Sequence, residues 1–225
     1  MGHGSISTPA AKNFSRLAYK MKNPTSPERF DGRFFSRFYY SARTRVAAPI
    51  DYLHRARLLA AYTDIYPLRV RRILDAGAGA GYFLRALDAV FPGSRGEGIE
   101  VSRYACDRYG WTEASIATFI AKKPYDLVVC HDVLQYLPRA AAAAALCNFG
   151  ALCCGLLYFT VLTREDWALN CDPVRTDRDV YLRSARWYRR YLQTHFRQLG
   201  AGVYLARSAP ATVFALDELA RTPRL

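Results

Sequence analysis

A chain of 225 residues, 51% hydrophobic, 14% aromatic and 23% charged, has the apolar content for one globular core and little margin for a second. That balance excludes collagen, coiled coil and wholesale disorder. The formal charge of +13 divides as +7 over residues 1–50, +2 over 51–163 and +4 over 164–225, so a basic arm and a mildly basic tail flank a nearly neutral core, open to an anionic partner or to plain solvation.

The first twenty residues, MGHGSISTPAAKNFSRLAYK, lack the apolar run of a secretory signal, and Ile6 stands where N-myristoylation needs Ser or Thr. Residues 1–31 mix Ser, Thr, Pro, Gly and Lys and read as an arm, mobile or ordered by a partner. Residues 30–40, FDGRFFSRFYY, carry six aromatics in eleven positions. Such a segment is costly to leave in water, so it is expected to close over a pocket as a lid, with Arg43 and Arg45 behind it to hold an acceptor carboxylate. Residues 1–50 are therefore taken as arm and lid, and 51–225 as the folded domain. Asp51 reads as the cap of a helix running to about Tyr66, where Pro67 ends it.

From Val70 onward, short apolar runs alternate with helical stretches, the pattern of a parallel sheet with crossover helices. Strands are predicted at 72–75, 96–100, weakly at 113–117, then 126–131 and 152–162; helices at 79–90, 103–109, 139–148 and 185–196. Residues 202–206 and 212–216 are predicted to close one edge. Residues 140–163 contain no charge and are long enough to span a bilayer, but Asn148, Gly150 and Gly155 punctuate them and their second half is aromatic and β-branched, so they read as helix plus buried strand and no membrane span is expected. The six cysteines include no CxxC pair and sit mostly in apolar runs, which reads as buried thiols of a reducing, cytoplasmic compartment.

The most specific signal is Ile73-Leu74-Asp75-Ala76-Gly77-Ala78-Gly79-Ala80-Gly81, an apolar strand feeding a glycine-dense turn and then a helix opening at Tyr82. Glycine suits a tight turn of positive φ or a backbone pressed against a ligand, and amides at a helix start attract anionic groups. A dinucleotide fingerprint would need its third glycine where Tyr82 stands, and no Lys follows to make a phosphate-cradling loop. Downstream come a carboxylate ending the next strand, Gly96-Glu97-Gly98-Ile99-Glu100-Val101-Ser102, and the run PYDLVVCHDVLQYLP over 124–138.

An acidic residue followed by Gly-x-Gly-x-Gly after a strand resembles motif I of the class I S-adenosylmethionine-dependent methyltransferases, and residues 124–138 resemble the fourth strand and loop of their small-molecule branch. The resemblance implies an α/β, Rossmann-like, doubly wound and mostly parallel seven-stranded sheet with a helical N-terminal extension. It implies that Asp75 positions the methionyl ammonium of the cofactor, that Gly77, Ala78, Gly79, Gly81 and Tyr82 line its amino-acid end, and that Glu100, with Val101 beside it, accepts from the ribose hydroxyls. Adenine would meet Ser115 and Ile116, with Glu113 the alternative, since the acidic residue usual after the third strand is missing.

Methyl transfer from a sulfonium depends chiefly on alignment, and a base is needed only when the acceptor arrives protonated. His131, at the carboxyl end of the fourth strand, is the leading base and also borders the cofactor, with packing against the next helix as its structural alternative. Asp132 would orient it, Tyr136, Tyr39 and Tyr40 would line the acceptor pocket, and the charged insert over 163–179, including Trp167, would shape substrate choice. No metal is expected, since no paired acidic or Asp-Asn ligands follow the fifth strand. Neither a [DNS]PP[YFW] motif nor a Pro-Cys dipeptide occurs, so base methylation of nucleic acid is not favoured. The preferred reading is methyl transfer to an oxygen or nitrogen of a small molecule. RNA or protein methylation guided by the arm, and S-adenosylmethionine binding without catalysis, remain the alternatives.

Overall fold

The structure is a computed structural model that describes residues 26–219; most of the predicted basic arm and the last residues of the tail lie outside them. Ahead of the sheet come a short helix α1 (Gly32–Phe35), one wide helical turn (Ser36–Tyr40) and helix α2 (Pro49–Ile65). Strands and helices then alternate as β1 (Arg72–Ala76), α3 (Tyr82–Val90), β2 (Arg95–Glu100), α4 (Arg103–Tyr109), β3 (Thr112–Glu113), β4 (Tyr125–His131), α5 (Arg139–Leu152) and β5 (Cys153–Thr160). Helices α6 (Arg164–Leu169) and α7 (Ala185–His195) precede β6 (Phe196–Gly200) and β7 (Val203–Ala206).

The seven strands run in the order β3-β2-β1-β4-β5-β7-β6, with β7 antiparallel to β5 and β6 and every other pair parallel. Parallel strands covered on both faces must be apolar on both, which is why Leu127–Cys130 and Leu156–Phe159 are buried without interruption. Ile73, Leu127, Val129 and Leu156 face Ala56 and Leu59 of α2 and Phe83 and Leu87 of α3. Their neighbours Leu74, Val128 and Leu157 face Leu146 and Phe149 of α5 and Tyr188 and Leu192 of α7.

Four expectations are corrected. The predicted strand over 212–216 does not form: Phe214 and Leu216 are 72% and 99% exposed. Its place at the edge is taken by β6, which leaves α7 without a connecting loop and turns back through Gly200, Ala201 and Gly202, all with positive φ. The helix predicted from residue 79 starts at Tyr82, because Gly79 and Gly81 hold left-handed backbone that a helix cannot. Asp51 is not the cap of α2 but sits one turn in, its Oδ2 accepting from the Ala48 amide at 2.7 Å, with Pro49 opening the helix. Of the six free cysteines only Cys130 and Cys153 are buried, and Cys147 is exposed. Residues 140–163 divide between α5 and β5 as expected, and no helix among the described residues is long and apolar enough to cross a membrane.

Candidate active site

The carboxyl ends of β1 and β4, flanking the point where strand order reverses, open into a cavity of about 970 Å³, the position at which open α/β sheets bind ligands. Gly77 and Gly79 have φ of +85° and +51°, and a Cβ on either would collide, at Gly77 with the Val133 side chain and at Gly79 with the Tyr39 hydroxyl 2.9 Å away. Glycine is thus required by conformation and by space together. Asp75, next to last in β1, is almost fully buried; its carboxyl is pushed up to about 7, first by burial and then by the Glu100 charge, against a lowering hydrogen bond from the Leu84 amide. Its Oδ2 has no partner among the described residues. A buried carboxylate oxygen without a donor is costly, and Asp75 lines the cavity.

Glu100 ends β2 and is turned back on the glycine loop. Its Oε2 accepts from the Gly79 amide at 2.9 Å and its Oε1 from Val101 and Ser102 at 2.8 and 3.0 Å, while burial holds its carboxyl above the ordinary value against those bonds. Glu97, the other carboxylate of the strand, accepts from the Tyr125 hydroxyl. Trp111, which no sequence motif marks, lies across the loop and donates from Nε1 to the Gly79 carbonyl at 2.9 Å.

His131 closes β4 opposite Thr160 of β5. Its ring is not packed against α5; it lies on the other face, among Tyr52, Phe83 and Tyr158 at centroid distances of 5.5, 5.8 and 6.1 Å. Burial lowers its pKa foremost, Arg55 adds to the lowering and Asp132 opposes it, which leaves a neutral imidazole near pH 7. Asp132 Oδ2 stands 3.5 Å from His131 Nδ1. Asp132 is one of two non-glycine residues with positive φ among those described, at +57°, held there by its amide on the Thr160 carbonyl and its carbonyl under the Gln135 side chain. Left-handed backbone at a carboxylate beside a histidine is strain of the kind found at working sites.

The roof comes from two segments the sequence flagged. Residues 30–40 pack on the loop side of the cleft: Phe30 meets Tyr136 edge-on at 5.1 Å, its carbonyl accepts from the buried Ser102 hydroxyl, and Tyr39 covers Gly79. The insert after β5 supplies Thr163, Asp166, Asn170, Asp172 and Asp177 to the opposite wall. Arg29 joins the two, at 2.6 Å from Asp177 Oδ2 and 2.8 Å from the Asp179 carbonyl, with its guanidinium over the Tyr136 ring.

Of the residues singled out from the sequence, Asp75, Gly77, Ala78, Tyr82, His131, Asp132, Tyr136 and Tyr39 line the cavity. Gly79, Gly81, Glu100, Val101, Ser115 and Ile116 lie outside its lining. Ser115 caps its own turn through Ala117, and the Ile116 carbonyl accepts from Asn148. Tyr40 pairs its hydroxyl with Tyr109 at 2.7 Å, Arg43 is exposed and Trp167 sits on α6; none of the three reaches the cavity. Tyr52, Arg55 and Gln135 do line it and were not picked out, because nothing in the sequence distinguishes them from ordinary helix and loop residues.

Arg183 fixes the loop that carries these groups. Buried behind it, the guanidinium donates to the carbonyls of Leu134, Leu137 and Tyr181 and to the Tyr188 hydroxyl, and the Tyr181 amide donates to the Gln135 carbonyl at 2.7 Å. Arg183→Ala strands several buried acceptors, and we expect it to cost about 2–4 kcal/mol in chemical denaturation. A loss under about 0.5 kcal/mol would show that the loop holds without it.

Residues 41–207 match the family described as Methyltransferase domain. No curated protein matches the chain. Among solved structures, the plantazolicin methyltransferase BpumL, in complex with a pentazolic desmethylPZN analog and SAH, superposes with a TM-score of 0.59 at 17% identity, covering 76% of this chain and 74% of that one. The N-methyltransferase NodS of Bradyrhizobium japonicum, in complex with S-adenosyl-L-homocysteine, gives 0.55 at 17% identity over 83% of this chain and 100% of that one. An O-methyltransferase family protein of Burkholderia thailandensis gives 0.52 at 16% identity over 80% of this chain, which spans 64% of it. The sheet order, the glycine loop after β1 and a family match over most of the chain agree: this chain belongs to the methyltransferase domain family and is built on the class I methyltransferase fold.

Proposed function

We propose that this protein binds S-adenosylmethionine across the carboxyl ends of β1 and β2 and methylates an oxygen or nitrogen of a small molecule held under residues 30–40. The chemistry of the residues fits the cofactor. Asp75 Oδ2, buried and unpartnered, suits an ammonium; the positive-φ glycines turn the loop tightly and leave its backbone bare of side chains; Glu100 has lone pairs for ribose hydroxyls beside the amides it already accepts. Ser115 and Ile116 are the proposed adenine contacts. The bound cofactor supplies a methyl group on a sulfonium, open to in-line displacement.

The chain's own residues do the rest. Asp75 and the loop amides orient, the aromatic roof excludes water, and the neutral His131 imidazole receives the proton of a hydroxyl or ammonium acceptor, with Asp132 orienting the ring. Tyr136 stays protonated, since burial and the neighbouring Asp177 push its hydroxyl well above the ordinary value. The observation that carries the small-molecule reading is the roof itself. Arg29 ties it to the insert across the mouth, and the volume beneath is that of a small-ligand site. The SAH complexes of BpumL and NodS lend it support by fold.

The test is transfer of labelled methyl from S-adenosylmethionine to a panel of phenols, amines and hydroxy acids, set beside bulk RNA and protein. Label in a small molecule, lost in Gly79→Arg, is expected. Label in RNA or protein alone would overturn the small-molecule reading. In the same assay Glu100→Ala is expected to weaken cofactor binding by about 1–3 kcal/mol, the cost of unpaired polar groups.

A further inference from the structure

The charged groups around the cavity are unevenly partnered. Apart from Asp75, its carboxylates are engaged: Asp166 by Thr163 and Asn170, Asp172 by the Val174 amide and Arg175, Asp177 by Arg29, Glu165 by the Ala185 amide, and Asp132 by His131 and Thr160. Arg175 aside, its arginines are not. Among the described residues no carboxylate lies within 4.0 Å of Arg55, Arg186 or Arg189, all three of which line the cavity.

Arg55 is the inner one. Half-buried on α2, it donates from Nε to the Tyr158 hydroxyl at 3.1 Å and from Nη1 to the Asp51 carbonyl at 2.9 Å, so the side chain is fixed while Nη2 is left without a partner among the described residues. The Tyr158 ring it anchors stacks on His131. A fixed, half-buried guanidinium with a donor left over has a planar fork that suits a carboxylate or phosphate. Around it the walls are rings, Phe38, Tyr52, Tyr82 and Phe83. Gln135 Oε1, also on the wall and buried, lacks a donor that a hydroxyl or amine would supply.

We propose that the acceptor is a flat, aromatic-type anion whose carboxylate or phosphate is read by Arg55 beside His131, with Arg186 and Arg189 on the outer rim. This rests on the small-molecule reading above and narrows it. It also moves the anion-holding role predicted for Arg43 to Arg55, which faces the site.

The experiment is ligand-observed NMR on the full chain saturated with S-adenosylhomocysteine, using 4-hydroxybenzoate, 4-hydroxyphenyl phosphate, the neutral 4-hydroxybenzamide and the cationic tyramine. At least one anion should bind about tenfold or more tightly than the amide, and the better of the two identifies the group read. Arg55→Gln should erase that preference while S-adenosylhomocysteine affinity stays within about twofold, which also shows the variant is folded. Equal or better binding of the amide or tyramine would overturn the proposal, as would no anion binding up to about 10 mM. So would an Arg55→Gln that weakens the nucleoside and not the anions, since the guanidinium would then serve the cofactor. Failure of wild-type protein to bind S-adenosylhomocysteine, seen before any probe is added, would instead strike at the methyltransferase reading.

Discussion

Asp75→Asn should make the ligand-free protein more stable and nearly unable to hold its cofactor. The Asp75 carboxyl is raised to about 7, by burial first and the Glu100 charge second, so the folded state holds a proton that the unfolded chain gives up above the ordinary carboxylate range near 4. Its effect on stability is therefore a penalty, growing as pH rises through that interval and complete above 7. Asparagine removes it, and the gain in melting temperature should be clear at pH 8 and absent near pH 4. A cofactor ammonium on the unpartnered Oδ2 reverses the sign, because it favours the ionised form. Affinity for S-adenosylhomocysteine should then weaken about tenfold per unit as pH falls below 7 in the wild type. In the variant it should be lower by about 2–4 kcal/mol at pH 7.5 and insensitive to pH in that range. Unchanged affinity in Asp75→Asn would remove this carboxylate from the site.

His131→Gln should lower kcat by about 10²- to 10⁴-fold, the range of a general base, while leaving S-adenosylhomocysteine affinity nearly intact. Because burial, helped by Arg55, depresses the imidazole, kcat at saturating cofactor should rise with pH along a limb centred below the usual 6.5. The Asp75 titration belongs to binding of the free enzyme and appears in kcat/KM for the cofactor, so the two limbs separate. A loss of kcat below tenfold would mean that the acceptor arrives deprotonated and that alignment alone carries the reaction.

The parallel core was legible because burial on both faces forces unbroken apolar runs, and β1, β4 and β5 fall where those runs do. The edge was not. Phe196–Gly200 follows α7 with no loop to mark it, whereas residues 212–216 carry the β-branched and aromatic look of a strand but have no partner left once β6 holds the edge. In the site, the groups tied to strand ends could be found: Asp75 and His131 sit at the carboxyl ends of β1 and β4 by sequence position alone. Arg55, Gln135 and Trp111 could not. Arg55 shares its helix with exposed Arg57, and only the fold turns one toward the cavity and the other to water. The aromatic density of residues 30–40 announced burial correctly but not direction, so Tyr39 reaches the glycine loop while Tyr40, its neighbour, turns outward to Tyr109.

The carboxyl ends of β1 and β2 are proposed as the S-adenosylmethionine site. Calorimetric titration of the wild-type chain at pH 7.5 with S-adenosylhomocysteine, and separately with NADH, tests it most directly. One-to-one binding of the sulfur nucleoside, abolished in Gly79→Arg and with no heat from NADH, is the predicted result. Binding of NADH with none of S-adenosylhomocysteine would contradict it.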